Sequence, residues 1–137
     1  MPENITDARQ RIFPMLAYND APAAIDFLCD AFGFKERSRM KMPDGTIGHA
    51  EIELGGNVVM LATTWKAGGL ASPQDLPALP YQLFCEVDDV DAHFEHARAS
   101  GAVVIAEPGE GHGFRTYRAM DLEGHRWLFA SPIPDSK

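Results

Sequence analysis

The chain has 137 residues, 45% of them hydrophobic, a length and composition that suit one compact domain spanning 1–137 with its own core. Its 20 acidic against 12 basic residues leave a formal charge of −8, which argues against a surface that tracks nucleic-acid phosphates or lies on an anionic membrane. The opening MPENITDARQ has no apolar stretch of the signal-peptide kind, no run approaches a membrane span, and Cys29 and Cys85 fall inside predicted regular elements, so a cytoplasmic protein without disulfides is expected.

Arg11 to Tyr18 is β-prone, and Asn19-Asp20 follows as a helix cap with Pro22 in the first turn. Ala24, Ile25, Leu28, Ala31 and Phe32 then recur at helical spacing before Gly33, a natural stop. Strands are predicted at Lys35 to Met42, Ile47 to Leu54 and Asn57 to Thr64, separated by the turn signals Pro43-Asp44-Gly45 and Gly55-Gly56. The stretch from Trp65 to Pro80, rich in Gly, Pro and Ala, reads as a linker. Beyond it, YQLFCEVDD predicts a strand ending in a helix cap. Val90, Phe94 and Ala97 mark a helix face stopping at Gly101, and VVIAEPGEG, FRTYRAM and HRWLFASP predict three further strands. The order β-α-β-β-β thus occurs twice, in modules of about 11–64 and 81–131 around a linker of about 65–80. A shift of 68 residues carries Leu16 to Phe84, Leu54 to Leu122 and Gly56 to Gly124, while the helices fit better at 69.

The segments FPMLAYNDAPAAIDFLCDAFGF, LFCEVDDVDAHFEHARASGA and FRTYRAMDLEGHRWLF resemble the vicinal oxygen chelate superfamily, which includes glyoxalases, bleomycin resistance proteins and extradiol dioxygenases. The resemblance implies an α+β fold in which two βαβββ modules curl a mixed sheet around a pocket, commonly completed by a second copy in a homodimer. In metal-using relatives four pocket positions supply ligands, and these match Pro14, Met60, Gln82 and Leu128 here. Such residues do not suit a hard or borderline cation, so no metal and no other cofactor is expected.

Strand pairing extends the expectation. With Gly55-Gly56 as an even turn, Met60 opposes Glu51 and Ala62 opposes His49, on the pocket face, while Ala50, Ile52, Leu54, Val59 and Leu61 face the helices. The same rule applied around Glu123-Gly124 places Tyr117 opposite Ala130 and Ala119 opposite Leu128, with Arg115 and Arg126 on the pocket side and Met120, Trp127 and Phe129 under the helices. Alternation adds Leu16 and Tyr18 beside Pro14, and Phe84 and Glu86 beside Gln82.

His49 and Glu51 read either as an acid/base pair or as the polar face of a solvated strand. Arg115 and Tyr117 read either as anchors for a carboxylate or aromatic ligand or as a strand surface or dimer contact. His112 is expected in a flexible turn, His93 and His96 on an exposed helix face, and Trp65 over the pocket or a dimer seam. Asp121, Glu123 and His125 are expected as a hairpin turn with its charges near solvent. The functional expectation is a small-molecule binder that sequesters a toxic or antibiotic compound. A lyase or isomerase of the glyoxalase type using His49 and Glu51 is the alternative.

Overall fold

The computed structural model describes residues 4–134, so the ends of the expected 1–137 span lie outside the described residues. In chain order the first module runs β1 (Met15–Tyr18), α1 (Ala21–Phe32), β2 (Lys35–Lys41), β3 (Ile47–Leu54) and β4 (Asn57–Thr63). The second runs β5 (Leu83–Glu86), α2 (Val90–Ala99), β6 (Val103–Gly111), β7 (Phe114–Met120) and β8 (Arg126–Pro132). Each module is a four-stranded mixed sheet, ordered β1-β4-β3-β2 and β5-β8-β7-β6. The first strand of each lies parallel to the last, and the others are antiparallel. The doubled βαβββ order is therefore as the sequence predicts, with β1 shorter than the β-prone stretch that contains it.

Helix α1 forms where its pattern demands. The Asp20 carboxylate accepts from Ala23 N at 3.1 Å, and the apolar stripe Ala24, Ile25, Leu28, Ala31 and Phe32 is buried. Burial of each of the larger side chains contributes about 1.5–3 kcal/mol. Asp89 caps α2 in the same way, accepting from Ala92 N at 3.1 Å. The two helices meet, and imidazoles tie them together: His93 Nε2 donates to the Phe32 carbonyl at 2.9 Å and His96 Nε2 to that of Asp30 at 2.7 Å. His96 is exposed as expected, whereas His93 is half-buried, because its ring packs against Phe129 and Tyr117. No helix among the described residues is long and apolar enough to cross a membrane.

The linker carries two short 3₁₀ turns, Lys66–Gly68 and Pro73–Asp75. Trp65 and Leu70 exchange backbone hydrogen bonds of 2.9 and 3.0 Å, which folds the start of the linker into a closed loop with the indole exposed.

Candidate functional site

Each sheet has a core face under its helix and an outward face, and register decides which residues stand where. Gly55 (φ 57°) and Gly56 (φ 83°) make a two-residue turn with both residues in the left-handed region, so Glu51 pairs with Met60 and Ala50 with Leu61. This is the predicted register. Ala50, Ile52, Val59 and Leu61 are buried in the core, and His49, Glu51 and Met60 share the outward face, half-buried. His49 Nε2 lies 3.2 Å from Glu51 Oε2, and the Arg37 guanidinium lies 3.9 Å from the other oxygen of Glu51 and 3.6 Å from Glu53.

The second hairpin corrects the expected register by one residue. Its turn is five residues long, Asp121 to His125, so Met120 pairs with Arg126, Arg118 with Leu128 and Tyr117 with Phe129. An odd turn exchanges the two faces of β7. Tyr117 is consequently in the core, with burial raising its phenol well above the ordinary range and its hydroxyl donating to His93 Nδ1 at 2.5 Å. Arg115 forms a two-pronged pair with Asp91 at 2.7 and 2.8 Å, which holds that exposed carboxyl below its usual range. Neither residue is available as the predicted pocket anchor. Their places are taken by Phe114, Thr116, Arg118 and Met120, while Trp127 and Phe129 are core residues as expected.

The first strand needs a second correction. Met15 pairs with Met60 and is 68% exposed, whereas Leu16 and Tyr18 are core residues at 6% and 0%. Pro14, Leu16 and Tyr18 therefore do not share the outward face with Met60. Met15 corresponds to Phe84, an interval of 69, so the register that fits the helices also fits the first strands, and Pro14 does not correspond to Gln82. Pro14 instead borders a cavity of about 360 Å³ at the seam of the modules, together with Val58, Phe84, Cys85 and Trp127. Burial pushes the Cys85 thiol there up to about 11.

Phe84 and Leu128 pair across β5 and β8 and stand on the outward face of the second sheet, with Gln82 exposed just before β5. They line an open recess of about 270 Å³ together with Phe114, Thr116, Arg118 and the β6–β7 turn at His112. Leu128 is its floor at 7% exposure, and Phe84, 54% exposed, meets Phe114 edge-to-face with 5.3 Å between centroids. His49, Glu51 and Met60 border neither this recess nor the seam cavity, so the predicted site residues divide between two sheet faces.

The acidic turn is not a solvated loop. Asp121, Glu123 and His125 are 4%, 5% and 3% exposed. Asp121 accepts from the Tyr18 hydroxyl, Trp127 Nε1 and the backbone N–H groups of Glu123 and His125. Glu123 accepts from Asn19 N, Asp20 N and Ser72 Oγ at 2.6–2.7 Å. His125 Nε2 donates to the Ala17 carbonyl at 2.9 Å, which leaves Nδ1 to accept from Tyr81. The turn joins the two modules and the linker, a structural role that engages the side chains of Asp121, Glu123 and His125.

The family model of the glyoxalase/bleomycin resistance protein/dioxygenase superfamily matches residues 12–129. The chain belongs to that superfamily. A relative from Mycobacterium bovis, known as an uncharacterised protein, is 35% identical over 124 residues, covering 88% of this chain and 82% of its own length. Among solved structures, TioX from Micromonospora sp. ML1 is 32% identical with a TM-score of 0.72, covering 90% of this chain and 99% of its own. A superfamily protein from Burkholderia phytofirmans PsJN, at 20% identity and TM-score 0.71 over 88% of this chain and 97% of its own, supports the fold. The outward faces offer the thioethers of Met15 and Met60 and the alkyl group of Leu128 at the paired positions, and among the described residues no three His, Cys, Asp or Glu side chains converge.

Proposed function

We propose that this superfamily member is a small-molecule binder that works without a metal. It holds a hydrophobic, planar compound in the recess of the second sheet and sequesters it, as a resistance protein does. The observation that carries this reading is the edge-to-face pair of exposed Phe84 and half-buried Phe114 over the apolar floor of Leu128. Aromatic surface left in water at the mouth of a concavity gains roughly 25 cal/mol per Å² when a ligand covers it. The further exposure of Met15 (68%) and Met40 (55%) on the face of the first sheet supports a homodimer in which a second copy covers that surface.

A thermal-shift screen with hydrophobic and planar compounds tests the reading. A native-state ligand at 100 times its Kd stabilises by about 2.7 kcal/mol. Stabilisation that disappears in Phe84→Ala is expected. Stoichiometric metal in protein purified without chelator, accompanied by metal-dependent turnover, would overturn it. Light scattering checks the dimer.

The contact of His49 with Glu51 at 3.2 Å favours one second reading, a lyase or isomerase of the glyoxalase type in which the imidazole moves a proton and the carboxylate orients it. Turnover of a thiol–aldehyde adduct that is abolished in His49→Gln would establish this reading in place of the first.

A further inference from the structure

We infer that Arg118 is an anion anchor, and that the compound held in the second-sheet recess is a planar aromatic carboxylate. The inference rests on the binding reading above and names the ligand class for that same recess. Arg118 pairs with Leu128 in the β7–β8 ladder and lines the recess with Phe84 and Phe114. The acid-rich chain gives most other arginines a partner: Arg37, Arg39, Arg98 and Arg115 each have a carboxylate within 4 Å. Among the described residues Arg118 has none, and its Nε is buried without any hydrogen-bond partner. With no side-chain hydrogen bond from Arg118 among the described residues, the terminal nitrogens of its guanidinium keep donors for an incoming carboxylate.

The surroundings fit the same class. Glu110 borders the recess, but its carboxylate lies 3.8 Å from the Arg115 guanidinium, already engaged with a different cation. Thr116 stands two residues before Arg118 on β7, so its hydroxyl shares the face and offers a second donor. Arg126 occupies the outward face next along β8 from Leu128 and also has no carboxylate within ion-pair distance among the described residues, while Glu86, two residues after Phe84 on β5, is an acidic group on the same face. The planar fork of an arginine matches a carboxylate in two parallel hydrogen bonds, and the two phenyl rings supply the edge and face that an aryl group stacks against.

Calorimetric titration of the full chain with 2-naphthoate and with its neutral isostere 2-naphthamide tests the assignment. The acid is expected to bind the wild type more tightly than the amide by about 10- to 100-fold, the effect of one charge-assisted pair. Arg118→Met should abolish that preference, weakening the acid by more than it weakens the amide. Equal affinities in the wild type, or a preference that survives in Arg118→Met, would overturn the inference. The wild-type comparison decides the matter even if that variant does not fold. Equal binding of both compounds that is lost in Phe84→Ala would remove the anion anchor and leave the binding reading standing. Binding of neither compound overturns the aromatic carboxylate, and the thermal-shift screen then judges the binding reading separately.

Discussion

The Tyr18 hydroxyl donates to Asp121 Oδ2 at 2.5 Å, across 103 positions of sequence and from the first module to the second. Burial pushes the Asp121 carboxyl above the ordinary range, opposed by Tyr18, His125 and Trp127, which favour its anion. Removing one donor leaves three others on the carboxylate, so Tyr18→Phe should cost about 1–2 kcal/mol. Asp121→Ala leaves the hydroxyl, the indole and two backbone N–H groups without an acceptor, and should cost about 3 kcal/mol or more. Urea denaturation of both variants checks the order and the sizes.

Glu123 should matter to the linker as well as to the core. Its carboxylate receives Asn19 N and Asp20 N from the first module and Ser72 Oγ from the linker, and Ser72 is fully buried. A Gln at this position has one acceptor oxygen and turns an amide donor toward other donors. Glu123→Gln is therefore expected to lose about 1–3 kcal/mol and to speed proteolytic cleavage between residues 65 and 80. Limited proteolysis at matched temperature reads this out.

Acid should weaken the helix–helix contact through His93. Its Nε2 must donate to the Phe32 carbonyl, so Nδ1 accepts from Tyr117 and the ring is neutral in the fold. Burial lowers its pKa below the ordinary range of an imidazole. A lowered folded pKa means that the unfolded chain binds the proton more readily, so the His93 contribution is present above about 6.5 and is lost as pH falls through the folded value. Stability measured from pH 8 down to pH 5 should decline more steeply in the wild type than in His93→Gln.

The β6–β7 turn stores a small strain. His112 is the one described non-glycine residue with positive φ, 53°, and with Gly113 at 83° it forms a two-residue turn closed by the pair Gly111 and Phe114. Asn tolerates this conformation better, and Asn-Gly suits such a turn. His112→Asn should raise stability by roughly 0.5–1 kcal/mol, read as a higher urea midpoint at unchanged slope.

The difference between the two hairpins explains how much of the site was legible. Gly55-Gly56 announces a two-residue turn, and from it the partners of Met60 and Glu51 follow by counting. Around Asp121-Leu122-Glu123-Gly124-His125 the glycine suggests the same turn, but Asp121 draws the N–H groups of Glu123 and His125 onto its own carboxylate and widens the turn to five residues. That single-residue change moves Tyr117 and Arg115 off the pocket face and brings Arg118 and Phe114 onto it. A sequence signal was present in the aspartate, which binds nearby backbone in turns, but its consequence for register required knowing which donors it meets.

What the sequence by itself determined was the local part of the structure. The order of elements, the caps of both helices, the doubled βαβββ plan and the first hairpin register all follow from periodicity and turn chemistry within a few residues, and the superfamily from the resemblance of three segments. What only the tertiary structure decided was which polar groups are buried. Asp121, Glu123 and His125 look like a solvated turn until their partners Tyr18, Asn19, Asp20, Ser72 and Ala17, about 50 to 110 residues away, come into contact. The physical reason is that a charged side chain can leave water at tolerable cost when distant donors converge on it, and no local pattern records that convergence.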